Sequence, residues 1–367
     1  MSTPPTDTVH DPASREAFTA ADHEFHELEI ARVVEETADA RSFVFRVPAE
    51  LTEVFRYQAG QFLTVEADLG HVRLKRCYSL SSSPDTDGEH KVTVKRVAGG
   101  RVSNWMIDNL KAGDRMRVLP PAGLFVLKPR GNPVTLFGGG SGVTPVLSIL
   151  KTALATTARR IQLVYANRDR DSIIFRDEID ALAARYPEQL TVVHRLDVES
   201  GFLDRPAVLE YLRGWEASDI YICGPAPFMD VIEATLVELG IHADHIHVER
   251  FVSPHDPDRV EPEPTGAAAK HAAPVDARVA IHLRGESREL DCPAGKTILE
   301  AARAAGIKTP SNCEDGYCSV CRAKLSEGDV WMRLHDALTK TELEQRWVLT
   351  CQARPTSARV AVDFDET

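Results

Sequence analysis

Ser311-Asn-Cys-Glu-Asp-Gly-Tyr-Cys-Ser-Val-Cys321 decides how the chain is read. Three cysteines, Cys313, Cys318 and Cys321, stand with four and then two residues between them, and Cys351 follows after twenty-nine more. C-x4-C-x2-C…C is the spacing of a plant-type two-iron, two-sulfide site. A tight loop wraps the cluster with three thiolates inward, and a distant segment supplies the fourth ligand. Gly316 and Ser319 keep the loop small, so backbone N–H groups approach the sulfides. A four-cysteine zinc site competes, but structural zinc usually takes two separated C-x2-C pairs rather than three plus one. A disulfide framework fits poorly in a chain this long without a secretory segment.

Outward from that loop, the 367 residues suggest two to three domains. With 43% hydrophobic and 27% charged residues, the composition is that of a soluble globular protein. No apolar run approaches the ~18 residues that cross a bilayer. Met1-Ser-Thr-Pro-Pro-Thr-Asp-Thr-Val-His10 lacks the basic start and apolar core of a signal peptide. Seven cysteines, four of them claimed by one cluster, fit a reducing cytoplasm. The formal charge of −12 argues against a nucleic-acid partner. Residues 277–367 hold 13 Lys/Arg against 14 Asp/Glu, so composition marks no acidic docking face there.

Order should begin after a loose tail over 1–24, in a domain over 25–130. Glu27 to Val34 and Arg41 to Val47 alternate apolar and polar, the mark of half-buried strands. Short strands follow at Gln61 to Val65, Arg73 to Leu80, Lys91 to Lys95 and Asp114 to Leu119, which predicts a small antiparallel barrel. Within it, Arg76-Cys77-Tyr78-Ser79 resembles the Arg-x-Tyr-Ser/Thr signature of the ferredoxin–NADP reductase superfamily. The chemistry suits a flavin: Arg76 to pair with pyrophosphate, the Tyr78 ring to pack on the isoalloxazine, the Ser79 hydroxyl to bond near N5. The resemblance extends to Tyr57-Gln-Ala-Gly-Gln-Phe62, the strand that precedes the signature. It also takes in Gly99-Gly-Arg-Val-Ser103, a phosphate loop in which Gly100, Val102 and Ser103 open a helix. It implies Lys95 beneath the flavin ring, and with that phosphate loop it favours FAD over FMN.

A second domain is expected over 131–252. Asn132 to Phe137 reads as a buried parallel strand and runs into Gly138-Gly-Gly-Ser-Gly-Val-Thr-Pro145, then an apolar helix. Gly139, Gly140, Ser141 and Gly142 let the backbone approach a pyrophosphate, with Thr144 as N-cap and Pro145 as first helical residue. Strands and helices then alternate to Leu239, which predicts a parallel sheet. Cys223-Gly224-Pro225 resembles the family's second nicotinamide-side motif and should share a crevice with Gly140. The resemblance places Glu249 and Phe251 near the flavin's open face. An edge strand with a core Phe is the plain alternative. In Asn167-Arg-Asp-Arg-Asp171, Arg168 or Arg170 suits a 2′-phosphate and Asp169 or Asp171 free ribose hydroxyls. Resemblance alone leans to NADH, with NADPH open.

Residues 253–276, rich in Pro, Ala and charge, read as a semi-stiff tether. Beyond it, over 277–367, a hairpin around Arg284-Gly285, a helix from Thr297 to Gly306, the cysteine loop and a strand from Ala358 to Asp363 give the order of an α+β β-grasp ferredoxin. Cys292 matches no ligand position and is read as structural. Together the fold expected is multidomain: antiparallel β-barrel, α/β parallel-sheet domain, β-grasp ferredoxin. That order resembles the three-domain reductases of bacterial oxygenases, among them those serving steroid and phenylacetyl-CoA oxygenases. Ser319, where many relatives carry Gly, is a departure expected to shift the cluster potential slightly. The resemblance implies hydride transfer from nicotinamide to FAD, then single electrons to a cluster on Cys313, Cys318, Cys321 and Cys351, and on to a terminal oxygenase. Ser79 and Thr144 would position the reacting rings, and the rim of the 313–321 loop would face the acceptor. The chain is expected to act as a monomer. A flavin or ferric reductase with a small-molecule acceptor, and a non-enzymatic redox sensor, are the alternatives.

Overall fold

Period-two alternation over residues 26–122 builds six antiparallel strands, and their order closes them on themselves. The computed structural model describes residues 24–251, 273–335 and 337–366. The loose tail and most of the tether expected from the sequence lie outside those residues. Strands β1 (His26–Thr37), β2 (Ala40–Arg46), β3 (Phe62–Asp68), β4 (Arg73–Ser79), β5 (His90–Lys95) and β6 (Arg115–Ala122) run in the order β4-β3-β6-β1-β2-β5. Leu80, just past β4, bridges to Val92 of β5, so the two edges meet and the sheet becomes a barrel. Phe43, Leu63, Val65, Val92, Val94 and Val118 fill it, with Phe55 packed among them. Helix α1 (Val102–Asn109) packs against β4 and β5 and adds Met106 to that core.

The next sheet is parallel: β7 (Val134–Gly139), β8 (Ile161–Asn167), β9 (Leu190–Leu196), β10 (Asp219–Cys223) and β11 (Ile246–Glu249), in the order β11-β10-β7-β8-β9. Its central strands β7, β8 and β10 are buried on both faces, which their near-continuous apolar runs require, while the edge strands β9 and β11 are partly exposed. Leu136, Leu163, Tyr165 and Tyr221 turn to one side, under α2 (Val143–Thr156) and α3 (Arg176–Arg185). A single turn, α4 (Asp197–Ser200), follows β9. Phe137, Val164, Ile220 and Ile222 turn to the other side, under α5 (Arg205–Leu212) and α6 (Ala226–Glu238). Chain order reverses between β7 and β10, and such a switch point opens a crevice beyond the strands' carboxyl ends.

In the last part, β12 (Ala277–Leu283) and β13 (Glu286–Cys292) pair across Arg284-Gly285, whose φ angles of 57° and 75° suit a two-residue hairpin turn. Thr297 and Glu300 form a capping box at the start of α7 (Ile298–Ala304), and Gly306, at φ 71°, ends it. Then come β14 (Arg322–Glu327), β15 (Val330–Met332), α8 (Lys340–Glu344), β16 (Trp347–Leu349), β17 (Ala353–Pro355) and β18 (Arg359–Asp363). The sheet reads β13-β12-β18-β14-β16, with β18 parallel to β12 and antiparallel to β14. This is the mixed sheet of a β-grasp domain. Cys292 is 1% exposed in its core, its thiol against the carbonyls of Lys296 and Thr297, a structural place.

Candidate functional site

The cysteine loop is tight because three of its residues take left-handed backbone: Glu314 (φ 63°), Gly316 (φ 81°) and Ser319 (φ 56°). A Cβ on Gly316 would lie 2.9 Å from Gln352 Cγ, beside the segment that carries Cys351. All four thiols are buried. They fall into two hydrogen-bonded pairs, Cys313 with Cys318 and Cys321 with Cys351. Tetrahedral zinc at about 2.3 Å from each sulfur would bring all four together. Among the described residues, no trio that includes a cysteine gathers within 4.8 Å. Two pairs fit a two-iron cluster, one pair to each iron. Burial raises the Cys313 thiol, but bonds from Cys318 and from the amides of Tyr317 and Asp315 outweigh it and leave it below its usual range. Cys318 is pushed up by burial and by Cys313, and Cys351 by its bond to Cys321 and by burial. Metal binding would displace those protons.

The loop leans on the barrel. Cys313, Tyr317, Cys318 and Val320 pack into one apolar cluster with Phe62, Ala122 and Cys77. Thr64 of β3 pairs with Cys77 of β4, and its hydroxyl donates to Asn312 Oδ1 at 2.6 Å. Part of the rim expected to face the acceptor is therefore spent on the barrel, while Glu314, Asp315 and Ser319 stay partly exposed. Apolar side chains at Tyr317 and Val320 turn that part against the flavin-signature strand. Within that strand Ser79 is buried, Tyr78 rests on the barrel core, and an Arg76 guanidinium nitrogen donates to the Lys75 carbonyl at 2.7 Å. Tyr57 is drawn into the core, its hydroxyl donating to Ser82 Oγ at 2.8 Å, so it supports the Ser82 segment. Lys95 stands 3.8 Å from Asp39 in the β1–β2 turn. The Gly99–Ser103 loop is closed: a Cβ on Gly100 would lie 2.4 Å from Ser103 Oγ. Val102 and Ser103 start α1, whose first turn has no side-chain cap, as a phosphate there would require.

At the switch point, glycines bring two strand ends backbone to backbone. Cys223 is in register with Gly138, and a Cβ on Gly142 would lie 2.2 Å from the Cys223 carbonyl. Gly139 packs likewise on Gly224 and Pro225. Cys223 thus brings its main chain to the crevice, while its fully buried thiol is pushed up by burial. The helix start differs from the expectation. Gly140–Gly142 forms a 3₁₀ turn that runs straight into α2, so Gly142 is the cap and Thr144 and Pro145 lie inside the first turn. There the Thr144 hydroxyl donates to the Ser141 carbonyl at 3.0 Å. Proline is tolerated because first-turn amides have no partner within the helix. Asp169 caps the turn at Arg170–Ser172 and holds Arg168 at 2.8 Å, so both of its oxygens already have partners.

Glu249 ends β11 in register with Cys223, and burial pushes its carboxyl up to about 8. Cys223 is its register partner, and Cys77 of the barrel packs with Cys313 of the cysteine loop. Phe251 is 46% exposed, not a core residue of an edge strand. Sequence reasoning passed over two groups. Thr64 and Asn312 gave no signal beyond Asn312's place next to Cys313. Ser148, Lys151 and Thr152 did: they form a polar stripe at i, i+3, i+4 on an otherwise apolar α2. That stripe docks the parallel-sheet domain on the barrel. Ser148 donates to the Ser82 carbonyl at 2.6 Å, Thr152 bonds Ser83 at 2.7 Å and Asp85 at 2.9 Å, and Lys151 joins Asp87 to Glu178.

Comparison with known proteins follows the same three divisions. The family model "Oxidoreductase FAD-binding domain" matches residues 27–127, "Oxidoreductase NAD-binding domain" 136–234, and "2Fe-2S iron-sulfur cluster binding domain" 281–356. The chain is 41% identical over 338 residues to the ferredoxin reductase component of 3-ketosteroid-9-alpha-monooxygenase from Rhodococcus rhodochrous, covering 92% of this chain and 96% of that one. It is 34% identical over 360 residues to one of the subunits that make up the 1,2-phenylacetyl-CoA epoxidase of Escherichia coli, covering 93% and 98%. Among solved structures it is similar to phthalate dioxygenase reductase, with TM-score 0.57, 28% identity, and coverage of 93% of this chain and 98% of that one.

Proposed function

Because the chain belongs to the reductase components of oxygenase systems, and is an NAD(P)H-dependent oxidoreductase with FAD, NAD and 2Fe–2S domains, we propose that its acceptor is a terminal oxygenase of steroid or aromatic catabolism. When bound, the flavin takes a hydride from the nicotinamide and the cluster passes electrons one at a time. Gly139 to Gly142 and the first turn of α2 hold the nucleotide's pyrophosphate, and Cys223 to Pro225 form the opposite wall. Ser79 and Thr144 orient the two rings. Arg76, Tyr78 and the Gly100–Ser103 turn would hold the flavin, with Lys95 beneath its ring and Glu249, its carboxyl pushed up by burial, near its open face. The two thiol pairs hold one iron each.

The observation that carries this reading is that the cysteine loop packs Cys313, Tyr317 and Cys318 on Cys77 of the flavin-signature strand, while Cys223 meets Gly138 and Gly142 at the switch point. It supports three motifs acting in sequence. One chain supplies every cofactor site, which supports a monomer; light scattering tests that. Among the described residues no helix is long and apolar enough to cross a membrane. Anaerobic NADH should bleach the flavin and then reduce the cluster, and an added terminal oxygenase should accelerate NADH oxidation. Turnover indifferent to every such oxygenase would favour a small-molecule acceptor instead.

A further inference from the structure

Thr64 lies where barrel and cluster loop meet, 248 residues from the side chain it bonds. It is fully buried, and Asn312 is 5% exposed. The Thr64 hydroxyl donates to Asn312 Oδ1 at 2.6 Å, and a hydroxyl has only one proton to give. In its 3.1 Å contact with Cys77, the thiol is therefore the donor. The result is a directed row, from Cys77 Sγ to Thr64 Oγ1 to Asn312 Oδ1. It begins in the strand that carries Arg76, Tyr78 and Ser79 and ends on the neighbour of Cys313. Phe62, Ala122, Tyr317 and Val320 surround that meeting point with apolar side chains. On the flank, Asp315 lies within reach of the charges on Lys75 and Arg76.

An apolar surround alone allows the loop to settle in several positions of similar energy. A buried hydroxyl and amide do not, because any position that parts them strips Asn312 Oδ1 of its donor and leaves Thr64 only the weaker thiol as partner. We propose that the Thr64–Asn312 bond is a latch that fixes the register of the cluster loop on the flavin strand and so sets the rate at which electrons cross between them. Thr64 is then a positioning residue. The inference rests on the reading that electrons run from flavin to cluster. Each NADH yields NAD⁺, one proton and two electrons, and the electrons pass the cluster one after the other. Each in turn reduces one ferric iron to ferrous, which the acceptor reoxidises.

The test uses the full-length holoprotein and follows flavin bleaching and cluster reduction after anaerobic mixing with NADH, normalised to cluster content. Thr64→Val keeps the shape and removes the hydroxyl, Thr64→Ser keeps the hydroxyl, and Asn312→Ala removes the acceptor without touching the barrel. In Thr64→Val and Asn312→Ala, the flavin should bleach at the parental rate while cluster reduction slows at least about tenfold. Thr64→Ser should restore it. Without NADH, amide hydrogen exchange over residues 311–320 should rise in the first two variants and not in Thr64→Ser. Asn312→Ala carries the test should Thr64→Val fail to assemble. Parental cluster reduction in Thr64→Val and Asn312→Ala, or equal slowing in Thr64→Ser, overturns the latch. A parent that never reduces its cluster brings down the underlying reading, and the latch with it.

Discussion

Ser319 takes φ 56°, which costs an L residue about 1–2 kcal/mol, and its hydroxyl donates to the Ala337 carbonyl at 3.0 Å, worth about 1 kcal/mol. Ser319→Gly removes both, so denaturant unfolding should shift by less than about 1 kcal/mol. The hydroxyl is committed to Ala337 and not to the thiols, so a redox titration should find the cluster potential unmoved. The titration decides between that outcome and the expectation that serine at this position shifts it slightly. Gly142 is less forgiving, because a Cβ there would press on the Cys223 main chain at 2.2 Å. Gly142→Ala should weaken NADH binding at least about tenfold while FAD stays bound, as equilibrium titration would read. Glu249 titrates at about 8 in the fold against an ordinary value of 4.5. Across that window the native state keeps a proton the unfolded chain has lost, so stability falls as pH rises from the lower value to the upper. Glu249→Gln should flatten that fall, a difference of a few kcal/mol between urea titrations at the two ends.

Helix α2 carries two tasks that pull its sequence in different directions. Its first turn must present bare amides at the glycine loop, while its middle must grip the barrel through Ser148, Lys151 and Thr152. Lys151 is 4% exposed between Asp87 and Glu178. Burial raises the Asp87 carboxyl, and bonds from Lys151 and the Ser83 amide more than offset it, leaving it below its usual range. That part of the docking is present above the ordinary carboxylate pKa and is lost as pH falls through the lower folded value. Lys151→Met leaves Asp87 without its buried ammonium while Glu178 keeps Lys91 at 3.6 Å, and should destabilise by about 3 kcal/mol in urea at pH 7. Most elements can be anticipated because their apolar period is long enough to read. Pieces such as β15, β17 and α8 are three to five residues each, shorter than any period. The start of α2 departs from its sequence pattern for another reason: Gly140–Gly142 continues the helical sense upstream, so Thr144 never reaches a capping position.

At the scale of the molecule, the cofactor motifs are legible because each is a local run: the cysteine spacing, Arg76 to Ser79, Gly138 to Pro145. What joins them is not, since Thr64 and Asn312, or Ser148 and Ser82, meet only after folding. Cys318→Ala isolates the last stage. It should keep flavin reduction by NADH and abolish transfer to protein acceptors such as cytochrome c, read by paired assays. Transfer at the parental rate in that variant would place the cluster off the route. The mixed sheet of the third part adds a constraint of timing. Strand β18 lies between β12 and β14, so that sheet stays incomplete until residues 359–363 have been translated. The barrel and parallel sheet need nothing beyond Glu249. At ribosomal speeds of about 5–20 residues per second, they lead by roughly 6–23 s. A nascent chain should therefore turn yellow before it can turn brown, its iron loading waiting on β18.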